Sequence, residues 1–232
     1  MPDSGKTEWK SILGFVLVWL LTPAILFLSF GHLDWPMAWV YTGLYIVAVT
    51  ASRLIVLRKH PDLLTERARF TRAEGVKDWD RRLVPIIGLY GPLVMLIVAG
   101  LDKRFGWLPE VPLALQIIAA LVLAAGYLLS IWAMIVNRFF SAVVRIQKDR
   151  GHTVVTSGPY RFARHPSYAG GIASYLATPV MLDALWALIP AGLIVIALII
   201  RAALEDQTLQ TELPGYAEYA RRTRYRLMPG IW

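Results

Sequence analysis

LALQIIAALVLAAGYLLSIWAMIV, residues 113–136, carries no charged side chain, and its reading decides the fold. A helical bilayer crossing needs about 20 consecutive apolar residues, because in hydrocarbon the segment must satisfy its own backbone N–H and C=O groups. Outward from this run the pattern recurs. Ser11–Phe30, Met37–Leu57 and Leu83–Leu101 precede it, and Tyr168–Leu182 and Ala184–Ile200 follow. The 232-residue chain is 56% hydrophobic and 17% charged, with a mean hydropathy of +0.51, which leaves no room for a large soluble domain. The expected fold is all-α: a polytopic integral membrane helical bundle of about six hydrophobic segments. The last two form a helical hairpin about Asp183, followed by a cytoplasmic C-terminal helical tail. Tyr168–Leu182 is short for a ~30 Å core, so it must tilt, thin the bilayer or stay buried beside its neighbour. A single membrane domain, 1–232, is expected, with four N-terminal spans in 1–136 and a polar-rich region in 137–232.

The formal net charge of +8 would suit nucleic acid in a soluble protein, but the placement of the basic residues argues otherwise. When the 24 lysines and arginines are sorted by alternating sides, only Lys103 and Arg104 fall in loops assigned to the outside. That asymmetry is the positive-inside pattern. It puts both termini, the Arg58–Arg82 loop, the Asn137–Pro166 segment and the Arg201–Trp232 tail in the cytoplasm, with a bacterial inner membrane as the expected location and no nucleic-acid partner. The first run follows Lys6 and Lys10 but is too long for a signal-peptide core and lacks a small-residue cleavage site. Arg67, Arg69, Arg72, Lys77, Arg81 and Arg82 beside Phe70 and Trp79 read as an interfacial amphipathic segment or as topology alone. Trp35, Trp39, Trp107, Trp186 and Trp232 stand near span ends, as an aromatic belt would.

Several chemistries are absent. With no cysteine there is no disulfide, thiolate zinc site, iron–sulfur cluster or cysteine nucleophile. No glycine-rich phosphate loop, dinucleotide fingerprint or nucleophile elbow is present, and His32, His60, His152 and His165 lack metal-ligand spacing. What remains is a polar concentration at the ends of the last spans: Gln147, then His152–Arg161, then Arg164-His165-Pro166-Ser167-Tyr168. Gly158-Pro159 marks a turn, and Pro166 suits the first turn of a helix whose open N–H groups favour an anion. Arg201 and Glu205, with Asp206 alongside, close the last apolar run; four residues apart, they share a helical face. Each piece also has a plainer reading. Arg164 and Arg201 serve equally as positive-inside anchors, His165 as a capped interfacial histidine, and Glu205 as a partner for Arg201. Tyr216, Tyr219, Arg221, Arg222 and Arg224 read more readily as a surface amphipathic helix than as a site.

The residues HTVVTSGPYRFARHPSY (152–168), Glu205-Asp206 and LPGYAEYARRTRYRLMPG (213–230) together resemble the isoprenylcysteine carboxyl methyltransferase family and its bacterial relatives. The resemblance covers roughly the last 100 residues; the earlier spans share only the hydropathy pattern. It implies a membrane-embedded methyltransferase that binds S-adenosyl-L-methionine at the cytoplasmic face and takes a lipophilic or lipidated substrate from the surrounding membrane lipids. By that resemblance Gln147, His152, Thr153, Val154, Val155, Tyr160, Arg164, His165, Pro166, Ser167, Tyr168 and Glu205 contact the cofactor. Arg201, with Glu205 a catalytic candidate, holds the substrate carboxylate. Two departures stand out: Asp206 replaces the usual second Glu, and Leu213-Pro214-Gly215-Tyr216 replaces the common Phe-Gly turn. Three alternatives remain. A phospholipid amine or small thiol would be the acceptor in a second methyltransferase reading, a nicotinamide-dependent membrane reductase would use another cofactor, and a transporter would carry charges at mid-membrane, where this sequence shows none gathered.

Overall fold

The computed structural model describes residues 19–68 and 74–232, apart from the side chains of 64, 65 and 68. Lys6, Lys10, the first part of the expected first span (11–18), and Arg69, Phe70 and Arg72 lie outside the described residues. Every regular element described is helical. We label them α1 (Trp19–Phe30), α2 (Pro36–Lys59), α3 (Pro61–Ala68), α4 (Asp78–Pro85), α5 (Gly91–Phe105), α6 (Leu113–Val136), α7 (Pro166–Met181), α8 (Leu188–Glu212) and α9 (Tyr216–Arg222). Among the described residues four helices are long and apolar enough to cross a membrane: α2, the continuous run Asp78–Phe105, α6, and Leu185–Glu212, which contains α8. The described part of α1 is apolar but shorter, and α7 has 16 residues, roughly 24 Å of rise. Of the six expected segments, four are full-length helices among the described residues and α7 is shorter, while the first lies partly outside the described residues. Their outer faces expose Val47, Leu121, Leu128 and Leu193, all more than 60% accessible, as suits helices solvated by lipid tails.

Packing fixes direction. Asp183, in the left-handed region at φ +54°, turns α7 toward α8, accepts Lys103 at 2.5 Å and accepts the Val111 N–H at 2.5 Å. The Asp102 carboxylate accepts the Trp186 N–H at 2.9 Å. One end of the bundle therefore holds the α5–α6 and α7–α8 connections, and α7 reaches it despite its length. Residues 137–165, α9, α3 and residues 74–77 gather at the other end.

Two local features set the inner spacing. Gly126 on α6 and Gly170 on α7 face each other so closely that a Cβ on either would lie 2.5 Å from the other's carbonyl oxygen. This is the small-residue packing by which membrane helices gain contact without a hydrophobic driving force. Between Pro85 and Pro92, residues Ile86–Tyr90 form a π turn in which Gly91 donates to the Ile86 carbonyl. Pro92 has no N–H to give the Ile87 carbonyl, and the Tyr175 hydroxyl donates to that oxygen at 3.0 Å. The core around these crossings joins Leu26, Met95, Leu123, Met181 and Ile194 from five helices.

Candidate active site

The chain between α6 and α7 is mostly irregular, so its backbone groups look to side chains for partners. Gln147, 1% exposed, donates from Nε2 to the Phe139 carbonyl at 2.8 Å, and its Oε1 accepts from Arg150. Its own N–H meets His152 Nδ1 at 3.3 Å, and the His152 ring packs on Phe139 at 4.5 Å. Burial, helped by the guanidinium groups of Arg150 and Arg145, pushes His152 down to about 4, so the imidazole is neutral at ordinary pH. After the Gly158-Pro159 turn, Tyr160 is buried; Asn137 Nδ2 donates to its hydroxyl at 3.2 Å and the Tyr219 hydroxyl donates to its carbonyl at 2.6 Å. Burial raises the Tyr160 phenol, which stays protonated.

Pro166 opens α7 with His165 as N-cap, and the turn before it is held by one carboxylate. Asp206, fully buried, accepts Arg164 through both oxygens at 2.7 and 2.9 Å. It also accepts Arg226 Nε at 3.0 Å, the Tyr216 hydroxyl at 3.0 Å and Gln210 Nε2 at 2.8 Å, and lies 3.3 Å from His165 Nε2. Breaking such a buried ion network from one side costs about 3–5 kcal/mol, because charges are stranded without water. The same turn receives the chain's last residues: Arg164 N–H donates to the Tyr225 carbonyl at 3.0 Å and His165 N–H to that of Arg226 at 2.7 Å.

These segments enclose a cavity of about 350 Å³, within the usual range of small-molecule sites. Gln147, His152, Thr153, Val154, Val155, Tyr160, Arg164, His165, Ser167, Tyr168, Arg201 and Glu205 all line it; Pro166 is buried but does not. Arg201 and Glu205 share the cavity without pairing. The Tyr168 hydroxyl donates to Glu205 Oε2 at 2.5 Å, and Oε1 makes no hydrogen bond among the described residues. Arg201 donates from Nε and Nη2 to Asp80 at 2.7 and 3.3 Å and from Nη2 to the Ala142 carbonyl at 3.0 Å, and its guanidinium lies 5.5 Å from the Tyr168 ring.

Asp80 is the principal residue that sequence reasoning missed. Fully buried on α4, it holds Arg201 and also accepts the Val144 N–H at 2.6 Å, fastening the loop to two helices. Its signal was an acid one turn before the apolar run Leu83–Leu101, hidden in a segment read for its arginines. That segment is not simply interfacial: Val76 and Glu66 are also buried, and Arg145 donates to Glu66 from Nε and Nη2 at 2.7 and 2.6 Å, holding its carboxyl below the usual range. The tail likewise divides. Tyr216 and Tyr219 are buried and line the cavity, while Arg221, Arg222 and Arg224 are exposed. Among the described residues no group of three His, Cys, Asp or Glu is placed to hold a metal ion.

The sequence profile of the phospholipid methyltransferase family matches residues 115–213, from α6 through α8. A cobalt–zinc–cadmium resistance protein of Cupriavidus metallidurans is 34% identical over 108 residues, 46% of this chain and 49% of that protein. Protein-S-isoprenylcysteine O-methyltransferase A of Arabidopsis thaliana is 30% identical over 100 residues, 43% of this chain and 48% of that protein. The chain spans about half the length of these curated relatives. The matched profile covers the Arg164–Tyr168 turn, Arg201 and Glu205, so the resemblance read from those motifs stands: over these residues the chain is similar to the phospholipid methyltransferase family and to an isoprenylcysteine methyltransferase.

Proposed function

We propose that this protein is an S-adenosylmethionine-dependent methyltransferase, set in the membrane with its site on the cytoplasmic side, that methylates the carboxylate of a lipophilic, isoprenylcysteine-like acceptor. The observation that carries this reading is the convergence of the His152–Tyr168 segment, the end of α8 and the tyrosines of α9 on one cavity. The donor set suits the cofactor. Glu205 has an uncommitted oxygen for hydroxyl or cationic groups, His152 is neutral beside aromatic and aliphatic walls, and Gln147, Tyr160 and Tyr168 supply polar edges. When bound, S-adenosylmethionine supplies a methyl group already activated on a sulfonium.

The chain's own work is then positioning and exclusion of water. Arg201 has two of its nitrogens committed to Asp80 and Ala142, which fix its plane, and Nη1 makes no hydrogen bond among the described residues. It orients an acceptor carboxylate through that nitrogen without moving a proton. A carboxylate is ionised well below neutral pH, so methyl transfer forms an O–C bond, breaks an S–C bond and needs no base. Holding the two partners at attack distance is worth ~7–11 kcal/mol of barrier.

The family match favours a second reading, methylation of a phospholipid amine. An amine must first lose a proton, so its rate rises with pH, whereas carboxylate methylation is flat between pH 6 and 8. Purified protein incubated with methyl-labelled S-adenosylmethionine and N-acetyl-S-farnesylcysteine, phosphatidylethanolamine or a small thiol separates these. Label on the farnesylcysteine with a flat profile is expected; label on the amine or thiol alone, or on none of the three, overturns the proposal.

A further inference from the structure

Four arginines line the cavity. Arg145 holds Glu66 and Asp149, Arg164 holds Asp206 and Arg201 holds Asp80. Arg67 of α3 holds no carboxylate among the described residues. Its Nη2 donates to the Met134 sulfur at 3.3 Å and the Phe140 carbonyl at 3.3 Å, its Nε is buried without any hydrogen-bond partner, and Nη1 makes none among the described residues. Around it lie Val56, Leu63, Met134 and Phe140, an apolar cluster. Arg67 as a whole is half-buried, with its guanidinium 5.5 Å from the Phe140 ring; a partly desolvated cation in such surroundings is costly, and its default explanation is a partner that arrives with function.

Its position says what partner. A second, open-sided cavity of about 260 Å³ lies between α2 and α6, walled by Tyr45, Val49, Ser52, Tyr127, Ile131 and Met134. Arg67 and Phe140 line both cavities and so stand between them. From Tyr45 to Ser52 the groove follows two turns of α2, roughly 10 Å. The same helices expose Val47, Leu54 and Leu128 on their outer surfaces. An apolar chain lying in this groove would bring its polar end to Arg67 and, just beyond, to the cavity that holds Arg201 and Glu205.

Resting on the methyltransferase reading above, we infer that Arg67 is the acceptor's anion-binding residue: it takes the carboxylate of a single-chain amphiphile whose hydrocarbon occupies the α2–α6 groove. Arg201, already neutralised by Asp80, contributes direction but little net charge, whereas Arg67 contributes the unbalanced positive charge. One guanidinium with no carboxylate partner among the described residues balances a singly charged carboxylate and would leave a phosphate monoester under-neutralised. Methylation removes the anion, so the ester loses its hold on Arg67 and leaves.

The test is binding without turnover. Native mass spectrometry in detergent would measure N-acetyl-S-farnesylcysteine, its methyl ester and lysophosphatidate on the wild type, R67K and R67M, with S-adenosylmethionine affinity measured on the same samples. The wild type should prefer the acid to the ester by about tenfold or more, the lower end of what a charged hydrogen bond contributes. R67M should lose that preference through weaker acid binding alone, and R67K should keep part of it. Equal affinity of the wild type for acid and ester overturns the inference without reference to any variant. Parallel loss of acid and ester in R67M shows a steric role and overturns it too, and tighter lysophosphatidate binding with the same Arg67 dependence overturns the carboxylate assignment. If the wild type binds no S-adenosylmethionine while the acid preference persists, the methyltransferase reading falls and the anion site stands.

Discussion

Arg201 and Glu205, one helical turn apart, have different partners, and the proposed function makes that difference measurable. One oxygen of Glu205 makes no hydrogen bond among the described residues, so on the proposed reading Glu205→Ala should weaken S-adenosylmethionine binding by about tenfold or more in calorimetry, the scale of a lost charged hydrogen bond. Arg201→Ala should leave that affinity within about twofold, far less than 1.4 kcal/mol, and abolish methyl transfer. Equal loss of cofactor affinity in both would remove the distinction. His152 offers a check independent of activity. Held near 4, its ring resonances should not titrate between pH 8 and 5.5 in NMR. Because the unfolded chain takes up that proton near pH 6.5 and the folded one near 4, stability falls as pH drops through this window. A midpoint above pH 6 would show that the imidazole is not buried as described. At this scale the sequence was readable where residue type announced chemistry: Arg164, His165, Tyr168, Arg201 and Glu205 all meet. It was unreadable where meaning came only from a distant partner. Nothing in Asp80 or Arg67 itself says that one finds a guanidinium 121 positions away and the other finds no carboxylate among the described residues.

Among elements, the α6–α7 crossing is the one with no slack. Gly126→Val puts a branched side chain where a Cβ already meets the Gly170 carbonyl at 2.5 Å and the Ser174 hydroxyl at 2.4 Å. The helices must part, at a cost of about 1–3 kcal/mol or more, and α7 carries Ser167 and Tyr168 away from the cavity with it. Unfolding in mixed micelles should show the destabilisation, and cofactor affinity should fall with it; a variant as stable as wild type would mean that the crossing can relax. Hydropathy revealed the long helices because length and composition alone define a crossing. It could not distinguish α7, whose 16 residues are polar at the start and broken by Pro179, from a span, since what fixes α7 is its turn at Asp183 and its neighbours. Nor could it reveal the π turn, which follows from two prolines and is completed by Tyr175, far along the chain.

For the molecule as a whole, the charge asymmetry predicts sidedness. The chain has no cysteine, so single substitutions report cleanly. Arg104→Cys and Arg222→Cys should label from opposite faces of sealed vesicles with a membrane-impermeant maleimide, Arg222 from the side of the cytoplasm. Labelling of both from one side would invert or discard the topology. The last feature concerns order of manufacture. Asp206 gathers Arg164 from ahead of α7 and Arg226 from beyond α9. A nascent polypeptide halted after α8 would already own every long helix, yet its buried acid would still await Arg226. Ligand capture by such a polypeptide should switch on only once residue 226 has cleared the ribosome, well after insertion is over.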